Sequence, residues 1–121
     1  YELGPAAAAY GDGRYGLGLA IMRRFYADYL SGEEDGRDPL FCSLNMDFRG
    51  LPPVLLTAAA LDPLRDDAEA LGLKLAAAHV PHRYILYPGA PHGFLKMAPE
   101  VEVAARAVRD AADHLREYWG A

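Results

Sequence analysis

The segment "PVLLTAAA", residues 53–60, is an unbroken apolar run with proline at 52, 53 and 63. It is too short for a typical helix and shows no alternation of polar and apolar residues. That pattern predicts a strand buried on both faces, the kind found inside parallel sheets. Helical grammar follows directly in "LDPLRDDAEALGLKLAAAH". Asp62 is placed to cap, Pro63 suits a first helical position, and Asp66, Asp67 and Glu69 lie near the positive end of the helix dipole. Leu64, Ala68, Leu71, Leu75 and Ala78 step by four and three, which sets one face against a sheet.

"HRYILYP", residues 82–88, reads as a second strand, and residues 98–119 as a last helix. Val101, Ala104, Val108, Leu115 and Trp119 are expected on its buried face, with Glu102 and Arg106 paired four apart on the other. Upstream, Leu17, Ile21, Phe25 and Tyr29, with Met22, Tyr26 and Leu30 beside them, predict a helix over 17–30 that Gly32 would stop. Its aromatic face is either core or the lining of a substrate pocket. Residues 1–15 carry glycine and proline without a sustained period and read as irregular, and 31–52 reads as a charged loop. Strand, helix, strand, helix is the order of an α/β fold with two parallel strands and flanking helices. Two strands are too few to cover both edges of such a sheet, so the chain is expected to be the end of something larger.

Composition removes several classes of function. A net charge of −5 with scattered Lys and Arg offers no basic footprint for nucleic acid. No apolar run approaches the roughly 18 residues of a membrane span. Cys42 is the single cysteine, which excludes an internal disulfide and suits a reducing, cytoplasmic setting. "LFCSLN" gives Cys42 neither a neighbouring base nor a glycine elbow, so it reads as a packing residue. "HVPH" sets His79 and His82 close together, but two histidines without a third ligand are a weak zinc signal. His79 suits contact with a helix C-terminus, and His114 falls on the polar side of the last helix, in solvent. No metal or cofactor is expected.

Asp62 and His92 are the candidates for chemistry. In a parallel sheet the strand C-termini share one edge, where ligand sites gather. Asp62 follows one strand and His92, in "YPGAPHGF", follows the next. Neighbouring strands lie about 4.8 Å apart, so a carboxylate there can reach an imidazole Nδ1. Such a pair suits an orienting acid and a general base. Plainer readings stand beside this one: Asp62 as a helix cap alone, and His92 as a turn residue held by Pro88, Gly89, Pro91 and Gly93. The capping and pairing roles of Asp62 are compatible, since each carboxylate oxygen can serve one of them.

These residues carry a resemblance. "LDPLRDD", a helix, a strand, "YPG" and "HGF" resemble the C-terminal part of the hormone-sensitive-lipase-like esterases of the α/β-hydrolase superfamily, as do "DGRYGLGLAIMRRFYADYL" and "DPLFCSL" more loosely. The resemblance spans about residues 10–118. It implies that Asp62 is the catalytic acid and His92 the general base of a serine carboxylesterase acting on short-chain esters, with Phe94 walling the site. It further implies that the two strands are the last of an eight-stranded sheet, with strand 82–88 a candidate homodimer edge. The chain departs from the family pattern at Asp67, His79 and Leu44.

The glycine-flanked nucleophile elbow and the glycine-rich oxyanion loop of such enzymes are both missing. The only serines are Ser31 and Ser43, and neither lies between glycines on a strand-to-helix turn. The expectation is therefore residues 1–121 as the C-terminal segment of one hydrolase domain, inactive alone. A half of a split enzyme, a non-catalytic dimerisation or interaction module, and an inactive remnant of that fold are the alternatives. A base must be neutral to accept a proton, so activity of the complete enzyme is expected to fall below about pH 6 to 7.

Overall fold

The structure, a computed structural model, describes residues 4–32 and 34–120. Its elements in chain order are α1 (Pro5–Tyr10), α2 (Leu19–Tyr29), β1 (Val54–Leu61), α3 (Arg65–Ala77), β2 (His82–Pro91) and α4 (Glu102–Trp119), with short 3-10 turns between them. The apolar run forms β1, which pairs in parallel with β2. Among the described residues no strand covers the other edge of β1.

Each face of the two-stranded sheet has its own core. On one face Leu75 of α3 and Val80 bury against Phe48, with Val54, Leu56 and Leu71 around them. On the other, Ala104 and Ala107 of α4 pack on Ala59, Tyr87, Ala90 and Phe94. The alternation of Val54 and Leu56 to one side and Ala59 to the other follows from the period of two along a strand. Asp62 supplies the expected capping bond, its Oδ1 accepting from the Leu64 N–H at 2.9 Å. The first turn is tight, with the Arg65 N–H donating to the Asp62 carbonyl at 3.1 Å, so α3 proper starts at Arg65 rather than Pro63.

α3 ends in a Schellman motif. The His79 N–H donates to the Ala76 carbonyl and the Val80 N–H to the Leu75 carbonyl, both at 3.0 Å, while Val80 packs on Leu75. His79 pays for this with a left-handed backbone, φ 55°. A non-glycine residue in that region costs about 1–2 kcal/mol, and glycine returns part of the gain by loosening the unfolded chain. His79→Gly is therefore expected to stabilise the protein by about 0.5–1 kcal/mol, read as a rise in denaturant midpoint at constant m-value.

Five expectations from the sequence are corrected. Residues 5–10 are helical, not irregular: Pro5 opens α1, and the Asp66 carboxylate accepts from the Ala6 N–H at 2.6 Å, so the cap arrives from α3 rather than from a neighbour in sequence. α2 runs from Leu19 to Tyr29 with Leu30 as its C-cap, so Gly32 does not stop it, and only its Met22 side is buried, leaving Ile21, Phe25 and Tyr29 exposed. The buried face of α4 is Ala104, Ala107 and His114, because small residues let the helix approach the sheet closely, while Val101, Val108, Leu115 and Trp119 stay substantially exposed. His114 is thus buried, its Nε2 3.3 Å from the Pro53 carbonyl oxygen and its ring on Tyr118. Last, Glu102 pairs with Arg109 rather than Arg106, whose guanidinium lies 5.2 Å from the centre of the Tyr87 ring.

Tyr87 is the centre of the α4-side core. It is fully buried, its ring 5.3 Å from that of Phe94, and its hydroxyl donates to the Asp110 carboxylate at 2.8 Å. Burial, with that hydrogen bond second, pushes the phenol up to about 12. A raised folded-state value favours the protonated form, so the stability it confers is complete below the ordinary tyrosine value of about 10 and is lost as pH rises through about 12. The stability difference between the wild type and Tyr87→Phe, followed by urea unfolding from neutral to strongly alkaline pH, is expected to shrink over that window.

Candidate active site

Strand register brings Asp62 and His92 together. β1 and β2 pair evenly from Val54 with His82 to Ala59 with Tyr87, and then Leu61 pairs with Pro91. Between the last two pairs β1 spends only Ala60, whereas β2 spends Pro88, Gly89 and Ala90. This is a bulge, and Gly89 makes it by adopting φ 72°. "HRYILYP" predicts a strand that ends at Pro88 with a turn after it; instead the strand resumes and runs to Pro91. Without the bulge His92 would lie further along the strand, at about 3.3 Å for each added residue. With it, the residues following Leu61 and Pro91 leave the sheet side by side.

The result is a direct contact. The Nδ1 of His92 is 2.9 Å from Oδ2 of Asp62, while Oδ1 of the same carboxylate holds the Leu64 N–H. Both oxygens are therefore occupied, one by the cap and one by the ring. A carboxylate only accepts, so this contact selects the neutral tautomer with the proton on Nδ1 and the lone pair on Nε2. Asp62 has 14% of its side-chain surface exposed and His92 37%, so the acid is shielded while the ring can be reached. Such a ring can take a proton at Nε2 while the carboxylate steadies the resulting positive charge.

A cleft of about 300 Å³ opens beside the pair, lined by Thr57, Ala59, Asp62, His92, Gly93, Phe94, Leu95 and Lys96. Phe94 belongs to this wall, although at 5% exposed most of its ring is in the core against Tyr87. The exposed side of α2 forms a separate groove with Leu40 and Phe41, in which Tyr29 and Phe41 stack at 5.6 Å. Cys42 is half-buried beside Ser43, Tyr26 and Asp67. The ring of His82 turns back to the Val80 carbonyl, 2.9 Å from Nδ1. Among the described residues no cluster of three or more His, Cys, Asp or Glu could hold a metal ion, and no helix is long and apolar enough to cross a membrane.

One contact at the site went unread in the sequence. The His92 N–H donates to the Tyr15 carbonyl at 3.1 Å, so the segment before α2 touches the backbone of the candidate base. The glycines at 11, 13, 16 and 18 were the available signal, since close spacing of glycine marks places where backbone approaches backbone.

Comparison with known proteins agrees with this architecture. Residues 4–96 match the family described as alpha/beta hydrolase fold. An alpha/beta hydrolase enzyme from the metagenome of Lake Arreo, Spain, is 30% identical with a TM-score of 0.89, over 99% of this chain and 38% of that one. The hyperthermophilic esterase of the archaeon Pyrobaculum calidifontis is 28% identical with a TM-score of 0.90, over 96% of this chain and 38% of that one. EstE1, a thermophilic carboxylesterase cloned from a metagenomic library, is 29% identical with a TM-score of 0.89, over 95% and 40%. The chain thus spans about 38% of the length of the first two of these structures. It belongs to the α/β-hydrolase superfamily, among the hormone-sensitive-lipase-like esterases.

Proposed function

We propose that this chain supplies the acid and the base of a serine carboxylesterase that acts on short-chain esters. The observation that carries the reading is the 2.9 Å contact between Asp62 and His92 at the ends of adjacent parallel strands. The relatives described as esterases support the class of reaction. On this reading the nucleophilic serine and the oxyanion loop lie outside these 121 residues, and the chain alone does not turn over.

The reaction is acyl transfer. The serine hydroxyl attacks the ester carbonyl as His92 Nε2 takes its proton, and Asp62 stabilises the imidazolium. Collapse of the tetrahedral intermediate expels the alcohol, which takes the proton back from Nε2. Water then repeats the attack on the acyl-enzyme and releases the acid. Phe94 contributes an apolar wall to the cleft where the ester lies. The half-buried Cys42, without a disulfide partner, suits a cytoplasmic enzyme. The free edge of β2 is the proposed homodimer contact, which sedimentation of the natural protein would register as twice the monomer mass.

The test is hydrolysis of p-nitrophenyl esters of increasing acyl length by the full-length natural protein. Rates highest for the short acyl chains are expected. Hydrolysis of none of them would discard the esterase reading in favour of a non-catalytic interaction module.

A further inference from the structure

The geometry points to Gly16 as a positioning residue for His92, an inference that rests on the esterase reading above. Asp62 fixes the His92 ring at one atom, Nδ1. A general base also needs its backbone held, because Nε2 must meet the hydroxyl at near-attack distance. His92 comes just after the last strand pair, Leu61 with Pro91, and just before Gly93, which turns away with φ 73°. His92 thus lies at the very end of the strand ladder, where pairing stops and the chain turns.

The Tyr15–Gly16 segment holds the His92 backbone from outside the sheet. The Tyr15 carbonyl accepts the His92 N–H at 3.1 Å. A Cβ at Gly16 would lie 3.1 Å from the His92 carbonyl oxygen and 3.8 Å from the His92 Cβ, so His92 would have to give by a few tenths of an ångström. Gly16 also has φ +97°, which side chains rarely adopt. The loop is itself braced. Asp12 and Gly18 form an antiparallel bridge, the Gly16 N–H donates to the Gly13 carbonyl at 3.2 Å, and the Leu19 N–H to the Gly11 carbonyl at 2.7 Å. It acts as a fixed shelf for the His92 backbone, and only glycine fits its contact point.

Gly13 provides an internal control. It too has a left-handed backbone, φ +94°, but the nearest atom to an added Cβ is the Gly18 Cα at 3.9 Å. Gly16→Ala and Gly13→Ala thus share backbone strain in one loop, and only the first reaches His92. In the full-length natural protein, Gly16→Ala is expected to lower kcat for p-nitrophenyl butyrate about tenfold with KM nearly unchanged. It is also expected to shift the downfield Nδ1–H proton resonance of His92, whereas Gly13→Ala leaves kcat and the resonance as in the wild type. Should Gly16→Ala not accumulate as folded protein, Asp12→Ala takes its place, removing the carboxylate that accepts the Arg14 N–H at 3.1 Å in this turn. Faster amide exchange at His92 with a several-fold lower kcat is then expected. An unchanged kcat and resonance in Gly16→Ala, equal losses in the two glycine variants, or an Asp12→Ala protein with wild-type kcat and His92 exchange would overturn the proposal. Failure of the esterase reading has a different signature: the wild type hydrolyses no ester, or His92→Ala keeps full activity, while the resonance still reports whether Gly16 positions the ring.

Discussion

Replacing His92 by alanine is expected to lower kcat/KM of the full-length protein on a short-chain ester by roughly 10⁴-fold or more. The loss should fall on kcat, because Nε2 acts on the proton in flight rather than on the resting ester. Asp62→Asn separates the two tasks of that carboxylate. Its amide oxygen can still accept the Leu64 N–H, so the turn into α3 survives. Its NH₂ would then face Nδ1, which must accept, and the ring proton moves to Nε2. That is the wrong tautomer for a base, and a loss of about 10⁴-fold with an unaltered thermal midpoint is expected. Steady-state kinetics and a melting curve on the same samples check both variants. If Asp62→Asn lost stability rather than kcat, Asp62 would be a helix cap and nothing more.

Tyr87→Ala is expected to cost about 3–5 kcal/mol, as truncation of a large buried ring does. The ring is fully buried in the α4-side core, and truncation leaves a void beneath Phe94 and an Asp110 carboxylate without its donor. Against a total stability of about 5–15 kcal/mol, this is a large fraction. Tyr87→Phe keeps the ring and removes only the hydroxyl, so its cost should be nearer 1 to 2 kcal/mol, roughly that of a hydrogen bond to a charged group. Denaturant unfolding resolves the two, and equal losses would mean that Asp110 rather than ring packing holds the core. Because Phe94 is two residues from His92, Tyr87→Ala should also reduce activity before it unfolds the protein.

What the sequence made legible followed from local pattern. The continuous apolar run of β1 and the four-and-three steps of α3 needed no information from elsewhere in the chain. Parallel pairing then placed the residues after β1 and β2 at one edge, so the Asp62 and His92 juxtaposition could be anticipated. What escaped was set by tertiary contact. The run of alanines at 6–9 shows no apolar period, and the cap on α1 comes from Asp66 in a distant helix. Pro88 and Gly89 read as a turn because the same residues serve turns and bulges, and only the partner strand decides between them. The larger apolar residues of α4 predict a buried face that leaves His114 in solvent, whereas close packing on the sheet favours the alanines. The Tyr15 contact with His92 involves only backbone atoms, so the closely spaced glycines mark a backbone approach without naming its partner.

The most direct test of His92 as the base is to react the full-length natural protein with a fluorophosphonate ester and locate the adduct by peptide mass spectrometry. One labelled serine is expected, outside these 121 residues, with labelling slowed by orders of magnitude in His92→Ala. An adduct on Ser31 or Ser43, or labelling of His92→Ala at the wild-type rate, would contradict the assignment of His92 as the base.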